Sequence, residues 1–320
     1  MQPMSHSTLF LSLALACVST TCFGQSDDRD IGPISDYGVT FVPQSEWSTS
    51  SRRGVEVNGI RRNLAVGDSV RWGDLTVSNR AMHAAETGPD SVDLVLEFGS
   101  TIEMSRVAEA TAFSWNGFRI AVLAVRTDST ELGAVKTELE IATLASVPES
   151  IAAMDSTGGA SYRLKVPHEI HSLVLHHSGD PEPFRPGDDP MEKLRKLQDW
   201  SASDRNWWDV PYHLLLDLDG RVFEGRDYRY AGDTNTRYDP GGYLIVSVLG
   251  NYDLQEPTAA QIEALSRVFA WATNEFDIPE DQIIGHSDVA KTDCPGDGLR
   301  GPLKDGTLFA RAREIKPLSR

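Results

Sequence analysis

The spacing of hydrophobic and polar positions changes character midway along the chain. Between residues 55 and 147, short runs of alternating apolar and polar side chains at 69–77, 91–98, 114–125 and 136–144 are separated by Gly, Asn and Asp. Period-two alternation bounded by turn residues predicts antiparallel strands, hence an all-β sandwich or barrel over 55–148. Two segments echo one another there: Val70-Arg71-Trp72-Gly73-Asp74-Leu75-Thr76-Val77 and Phe113-Ser114-Trp115-Asn116-Gly117-Phe118-Arg119-Ile120. Each reads as strand, tight turn, strand, a shared hairpin geometry rather than a repeat array. From residue 164 onward the pattern is mixed. Apolar strands are expected at 171–177, 212–217, 243–249 and 283–284, with Asp219-Gly220 supplying a tight turn into 221–224. Met191, Leu194 and Leu197 give helical spacing over 190–200. The strongest helix spans 258–276, where Thr258 and Gln261 form a capping box ahead of the stripe Ile262, Leu265, Val268, Phe269, Ala272 and Phe276. The segment 25–54, rich in Ser, Asp, Arg and Pro around an apolar island at 37–42, reads as a flexible lead-in, and 149–163 as a linker.

Composition narrows the function. The chain of 320 residues is long enough for two domains and carries a formal net charge of −17, acidic in both halves. No basic stretch is long enough to follow a phosphate backbone, which argues against nucleic acid, and the charge opposes docking on anionic lipid. Residues 1–24 contain no Asp, Glu, Lys or Arg, hold an apolar run at 9–18 and end on Cys22-Phe23-Gly24, as a secretory signal peptide does. The run is too short for a membrane span, so the expected location is periplasmic or extracellular. A variant reading makes Cys17, in Ala14-Leu15-Ala16-Cys17, a lipid-anchored residue. Of the three cysteines, Cys17, Cys22 and Cys294, only Cys294 then remains, with no intramolecular disulfide partner.

The flanks of Cys294 carry the chemistry. His286 precedes it by eight positions, and Val174-Leu175-His176-His177-Ser178 ends a strand far upstream. Two imidazoles and a thiolate are a three-ligand zinc set that leaves a fourth position for water, the catalytic arrangement rather than the closed structural one. Adjacent strand residues face opposite ways, so one of His176 and His177 serves, and spacing alone does not choose.

The ordered blocks around these residues resemble a known family. They run Val174-Leu175-His176-His177-Ser178, Trp208-Asp209-Val210-Pro211-Tyr212-His213, Asp219-Gly220-Arg221-Val222-Phe223-Glu224-Gly225-Arg226, Leu249-Gly250-Asn251-Tyr252, Pro257-Thr258, Gly285-His286-Ser287-Asp288 and Cys294-Pro295-Gly296. Over about residues 164–316 this set is similar to the zinc N-acetylmuramoyl-L-alanine amidases, the family of phage amidases and peptidoglycan recognition proteins. The resemblance implies a C-terminal α/β amidase domain over 164–320, with a central mixed sheet flanked by helices. It also implies zinc held by His176, His286 and Cys294, and Tyr212 as the active-site tyrosine. The substrate implied is peptidoglycan or its muropeptides, cut between N-acetylmuramic acid and L-alanine. A non-catalytic peptidoglycan-binding protein is the alternative, though such a binder has no need of Cys294. Thr292 and Lys291 both fall near the position of a second electrostatic group, and the choice between them stays open.

Other polar residues read as follows. Asp288 and Asp293 are candidates to orient a ligand imidazole. Asp233 stands where many members carry a histidine, and no substrate role is transferred to it. His83, His168 and His171 read as solvated surface residues, Trp72 and Trp115 as core, and Trp207, Trp208 and Arg229 as core or groove.

Overall fold

The computed structural model describes residues 32–49, 54–127, 135–150, 164–205, 207–236 and 238–318. The N-terminal residues 1–31, with Cys17 and Cys22, and most of the 149–163 segment lie outside these residues.

The chain begins with β1 (Phe41–Val42), a short helix α1 (Gln44–Trp47) and β2 (Val55–Glu56). Eight strands follow: β3 (Gly59–Leu64), β4 (Ser69–Trp72), β5 (Leu75–His83), β6 (Ser91–Phe98), β7 (Thr101–Ala108), β8 (Thr111–Trp115), β9 (Phe118–Arg126) and β10 (Lys136–Thr143). They make two antiparallel sheets of four strands, ordered β3-β10-β9-β8 and β4-β5-β6-β7. One apolar core lies between them, drawing Ile60, Val122, Leu139 and Ile141 from the first sheet and Leu75, Val77, Leu94 and Leu96 from the second. The predicted echo is a pair of hairpins. At the second, Asn116 and Gly117 have φ of 46° and 84°, the two positive values that a twist-matched two-residue turn requires. Trp72 and Trp115 pack against this core, as expected. Strands β3 and β7 lie outside the alternating runs named above. In β7, at a sheet edge, Ile102 and Met104 are each 69% exposed, while Val107 enters the core. His83 is only half solvated: its Nε2 lies 2.8 Å from Asp93, which also pairs with Arg106.

The α/β region comprises β11 (Leu164–Lys165), β12 (Ser172–His177), α2 (Pro190–Ser203), β13 (Leu214–Leu216), β14 (Val222–Glu224), β15 (Tyr243–Val248), α3 (Ala259–Phe276), β16 (Ile283–Gly285), α4 (Asp297–Lys304) and α5 (Thr307–Ala312). Its six-stranded mixed sheet has the order β1-β14-β13-β15-β12-β16, with only the β13–β14 pair antiparallel. All six residues of β12 are buried, which explains an apolar run without alternation: a strand covered on both faces needs none. Helix α3 begins at the predicted capping box, Thr258 Oγ1 accepting from Gln261 N at 3.1 Å and Gln261 Oε1 from Thr258 N at 3.0 Å. It covers one face of the sheet through Leu265, Val268, Phe269 and Ala272.

The lead-in differs from its reading as a flexible segment over its described part. β1 extends the mixed sheet in parallel with β14, and Tyr37 donates from its hydroxyl to Glu275 Oε1 at 2.8 Å. Trp47 is 1% exposed, and its indole N–H donates to the Glu224 carbonyl at 2.8 Å. The apolar island therefore ends in a two-residue edge strand, short enough that composition around it masked the signal. Trp47→Ala is expected to destabilise the α/β region by about 3–5 kcal/mol, the cost of a large buried aromatic, as read by denaturant unfolding. A loss below about 1 kcal/mol would show the segment to be dispensable to folding.

Candidate metal centre

The sheet register brings the candidate ligands together. Leu173 and Leu175 pack on the α3 side of β12, while Val174 faces the opposite layer with Tyr238 and Ile245. Alternation therefore turns His176 toward that second layer and His177 toward the first. His177 Nδ1 accepts from Tyr252 N at 3.2 Å, away from the other candidates, so the structure separates the two histidines that spacing alone could not. Leu175 pairs with Gly285 in the neighbouring parallel strand, and the next residues along each strand are His176 and His286. Their rings stack with centroids 4.0 Å apart. The loop after β16 folds back onto this point: Ser287 N donates to Cys294 O at 2.8 Å, and His177 N donates to Cys294 Sγ at 3.3 Å. One ligand-type atom from each of His176, His286 and Cys294 lies within 4.8 Å of the others, and all three residues are buried.

The chemistry of this trio suits a soft cation. Burial holds the His176 imidazole well below its usual titration range and lowers His286 to about 4, so both rings are neutral and offer a lone pair. Burial also pushes the Cys294 thiol up to about 12, against the opposing pull of the His177 N–H. A divalent cation would reverse that balance, since a coordinating thiol is deprotonated outright. His286 Nδ1 is buried with no hydrogen-bond partner among the described residues, while Nε2 of the same ring lies 2.8 Å from Thr236 Oγ1. One ring nitrogen fixed by a neighbour and the other directed into a nitrogen- and sulfur-lined point is how protein metal ligands are oriented. His176 is steadied similarly, its Nε2 lying 3.1 Å from the Tyr238 hydroxyl.

Thr236 and Tyr238 are the contacts that sequence reasoning missed. They occupy an irregular stretch between β14 and β15 that lacks periodicity, where only the Asp233 departure drew notice. The proposed orienters do something else. Asp288 Oδ2 accepts from Gly285 N at 2.9 Å and its other oxygen lies 3.4 Å from Lys304 Nζ, so it shapes the turn carrying His286. Asp293 is exposed. Thr236→Val is expected to weaken zinc binding about tenfold, the lower end for residues that orient a metal ligand, as read by competition with a chromogenic chelator.

Tyr212 sits beside the trio, its ring centroid 5.4 Å from that of His176. Burial raises its phenol well above the ordinary range, so the hydroxyl stays a donor. Thr292 Oγ1 accepts from Cys294 N at 3.2 Å, whereas the Lys291 side chain is exposed. Asp233 pairs with Arg226, a buried side chain that also donates to the carbonyls of Asp209, Val210 and Ala231. Trp208 is core, with Arg226 4.5 Å and Lys165 4.8 Å from its ring centroid. Trp207 packs edge-on to Trp200, and Arg229 pairs with Asp227. The solvated reading of His168 is corrected: Nδ1 accepts from Gly242 N and Nε2 donates to Tyr228 O, both at 2.9 Å, which makes the ring a neutral structural bridge. His171 is exposed, with Nδ1 2.9 Å from Ser172 Oγ.

Residues 166–297 match the protein family described as N-acetylmuramoyl-L-alanine amidase, and this stretch is a domain of that family. Among curated proteins, the chain is 29% identical over 162 residues to an N-acetylmuramoyl-L-alanine amidase of Sus scrofa, covering 48% of this chain and 26% of that protein. It is 32% identical over 115 residues to peptidoglycan-recognition protein SC2 of Drosophila melanogaster, covering 36% of this chain and 62% of that one. The chain thus spans from about a quarter to less than two thirds of the length of these relatives. Among solved structures, wild-type Drosophila peptidoglycan recognition protein LB aligns with a TM-score of 0.39 at 22% identity, over 45% of this chain and 88% of that chain. Among the described residues, no helix is long and apolar enough to cross a membrane.

Proposed function

We propose that the protein is an exported zinc amidase that hydrolyses the amide bond between N-acetylmuramic acid and L-alanine in peptidoglycan. The observation that carries this reading is the convergence of His176, His286 and Cys294 within 4.8 Å, inside an amidase-family domain. The orphaned His286 Nδ1 supports it. When bound, zinc lowers the pKa of a coordinated water toward about 7 and polarises the scissile carbonyl. His176, His286 and Cys294 would hold the ion, and Thr236 and Tyr238 keep the two imidazoles oriented. Tyr212, protonated by burial, donates to the carbonyl oxygen as negative charge develops on it. We assign the second donor to Thr292 rather than Lys291: its oxygen accepts from Cys294 N and its own proton remains to be given. Cleavage separates the lactyl carboxylate of muramic acid from the amine of L-alanine. The N-terminal residues 1–24 supply the export signal in this reading, which puts the enzyme in the compartment where its substrate lies.

The names of the relatives include recognition proteins, so a non-cleaving binder is the outcome to discriminate against. Zinc-loaded protein incubated with a soluble muropeptide is expected to release a stem peptide bearing a new alanine amine. Recovery of intact muropeptide would overturn the proposal, and its recovery bound to the protein would favour the binder.

A further inference from the structure

Arg61 belongs to β3 of the β region, yet its guanidinium pairs at 2.8 Å with Asp239, in the segment between β14 and β15. The Asp239 side chain is 0% exposed and that of Arg61 13%. Arg61 also lies 3.6 Å from Glu138 and 3.8 Å from Glu140, both on β10, so one guanidinium serves three carboxylates across the junction. Its backbone N–H donates to Pro167 O at 3.0 Å, which ties β3 to the start of the amidase domain. The turn after Asp239 closes tightly on this pair. Asp239 Oδ1 accepts from Gly241 N at 2.8 Å, and a Cβ on Gly241 would stand 3.0 Å from Asp239 Oδ2 and 3.2 Å from Arg61 Nε.

The same segment carries Thr236 and Tyr238 onto the rings of His286 and His176. Tyr238 immediately precedes Asp239 and is itself buried, so its hydroxyl cannot be displaced independently of the anchored carboxylate. We infer that Arg61 is a positioning residue for the metal centre: by anchoring Asp239 it fixes the adjacent Tyr238 on the His176 imidazole, making the β region a brace for the amidase site. The inference rests on the zinc reading above. Loss of the guanidinium removes the ion-pair partner of a buried carboxylate, and the segment must shift to rehydrate it.

The test measures the zinc dissociation constant of full-length variants by chelator competition, together with kcat and KM on muropeptide. Arg61→Met and Asp239→Asn are each expected to weaken zinc binding about tenfold and to lower kcat while KM moves little, the pattern of a disturbed ligand orientation. Arg61→Lys restores part of the affinity by returning the charge. Arg126→Met removes a different ion pair of the same sheet, that with Glu138, without touching the 236–241 segment, and is expected to leave zinc affinity at the wild-type value. Asp239→Asn keeps the acceptor for Gly241 N and carries the measurement if Arg61→Met fails to fold. Wild-type affinity in the folded variants, or an equal loss in Arg126→Met, overturns the inference alone. Absence of zinc from the wild-type protein overturns the zinc reading and this inference with it.

Discussion

Cys294→Ser is expected to leave the protein folded, with zinc content well below one ion per chain and amidase turnover reduced by about 10³-fold or more. The size follows from what the ion supplies: several kcal/mol of charge stabilisation and a nucleophile available at neutral pH, at 1.36 kcal/mol for each tenfold in rate. Cys294 provides the only sulfur and the only removable charge of the trio, since His176 and His286 are held neutral by burial. Serine fills nearly the same volume but ionises far less readily than a thiol, so it supplies neither the charge nor the softness that zinc selects. Metal content by elemental analysis and melting temperature on the same sample separate loss of the ion from loss of the fold. Zinc retained at one per chain would remove Cys294 from the ligand set.

Tyr212→Phe is expected to cost 10²–10³-fold in kcat, the usual effect of deleting one donor to a developing oxyanion, with zinc content unchanged. The tyrosine lies beside His176 but outside the trio of ligand atoms, so its hydroxyl can be removed without disturbing the ion. Because the donor acts on charge that exists only in the transition state, kcat and kcat/KM should fall together. A rise in KM with kcat preserved would assign Tyr212 to substrate binding instead.

Much of this site was legible in the chain, and the parts that were not share a cause. His286 and Cys294 stood out because ligand types at a defined spacing survive without any knowledge of the fold. Telling His176 from His177 needed a face assignment, which the resemblance supplied as an expectation; the packing of Leu173, Val174 and Leu175 puts the His176 ring, not that of His177, on the side of His286. Helix α3 was legible because its cap and its stripe agree. The β1 strand was obscured because two residues cannot establish a period. Thr236, Tyr238 and the Arg61–Asp239 pair were invisible for a different reason: each depends on long-range juxtaposition of an irregular segment, which no local pattern encodes. Asp288 and Asp293 could be read either as imidazole orienters or as loop carboxylates, because a carboxylate near a ligand in sequence need not be near it in space. Asp288 caps Gly285 N–H.

Product analysis of purified sacculi tests the central claim most directly. Mature protein, loaded with zinc or stripped by chelator, is incubated with the sacculi and the soluble fraction examined by mass spectrometry. The account predicts stem peptides with a free L-alanine amine, and glycan strands carrying free lactyl groups, in the zinc-loaded sample alone. Intact muramyl-peptide bonds under zinc-replete conditions would contradict it.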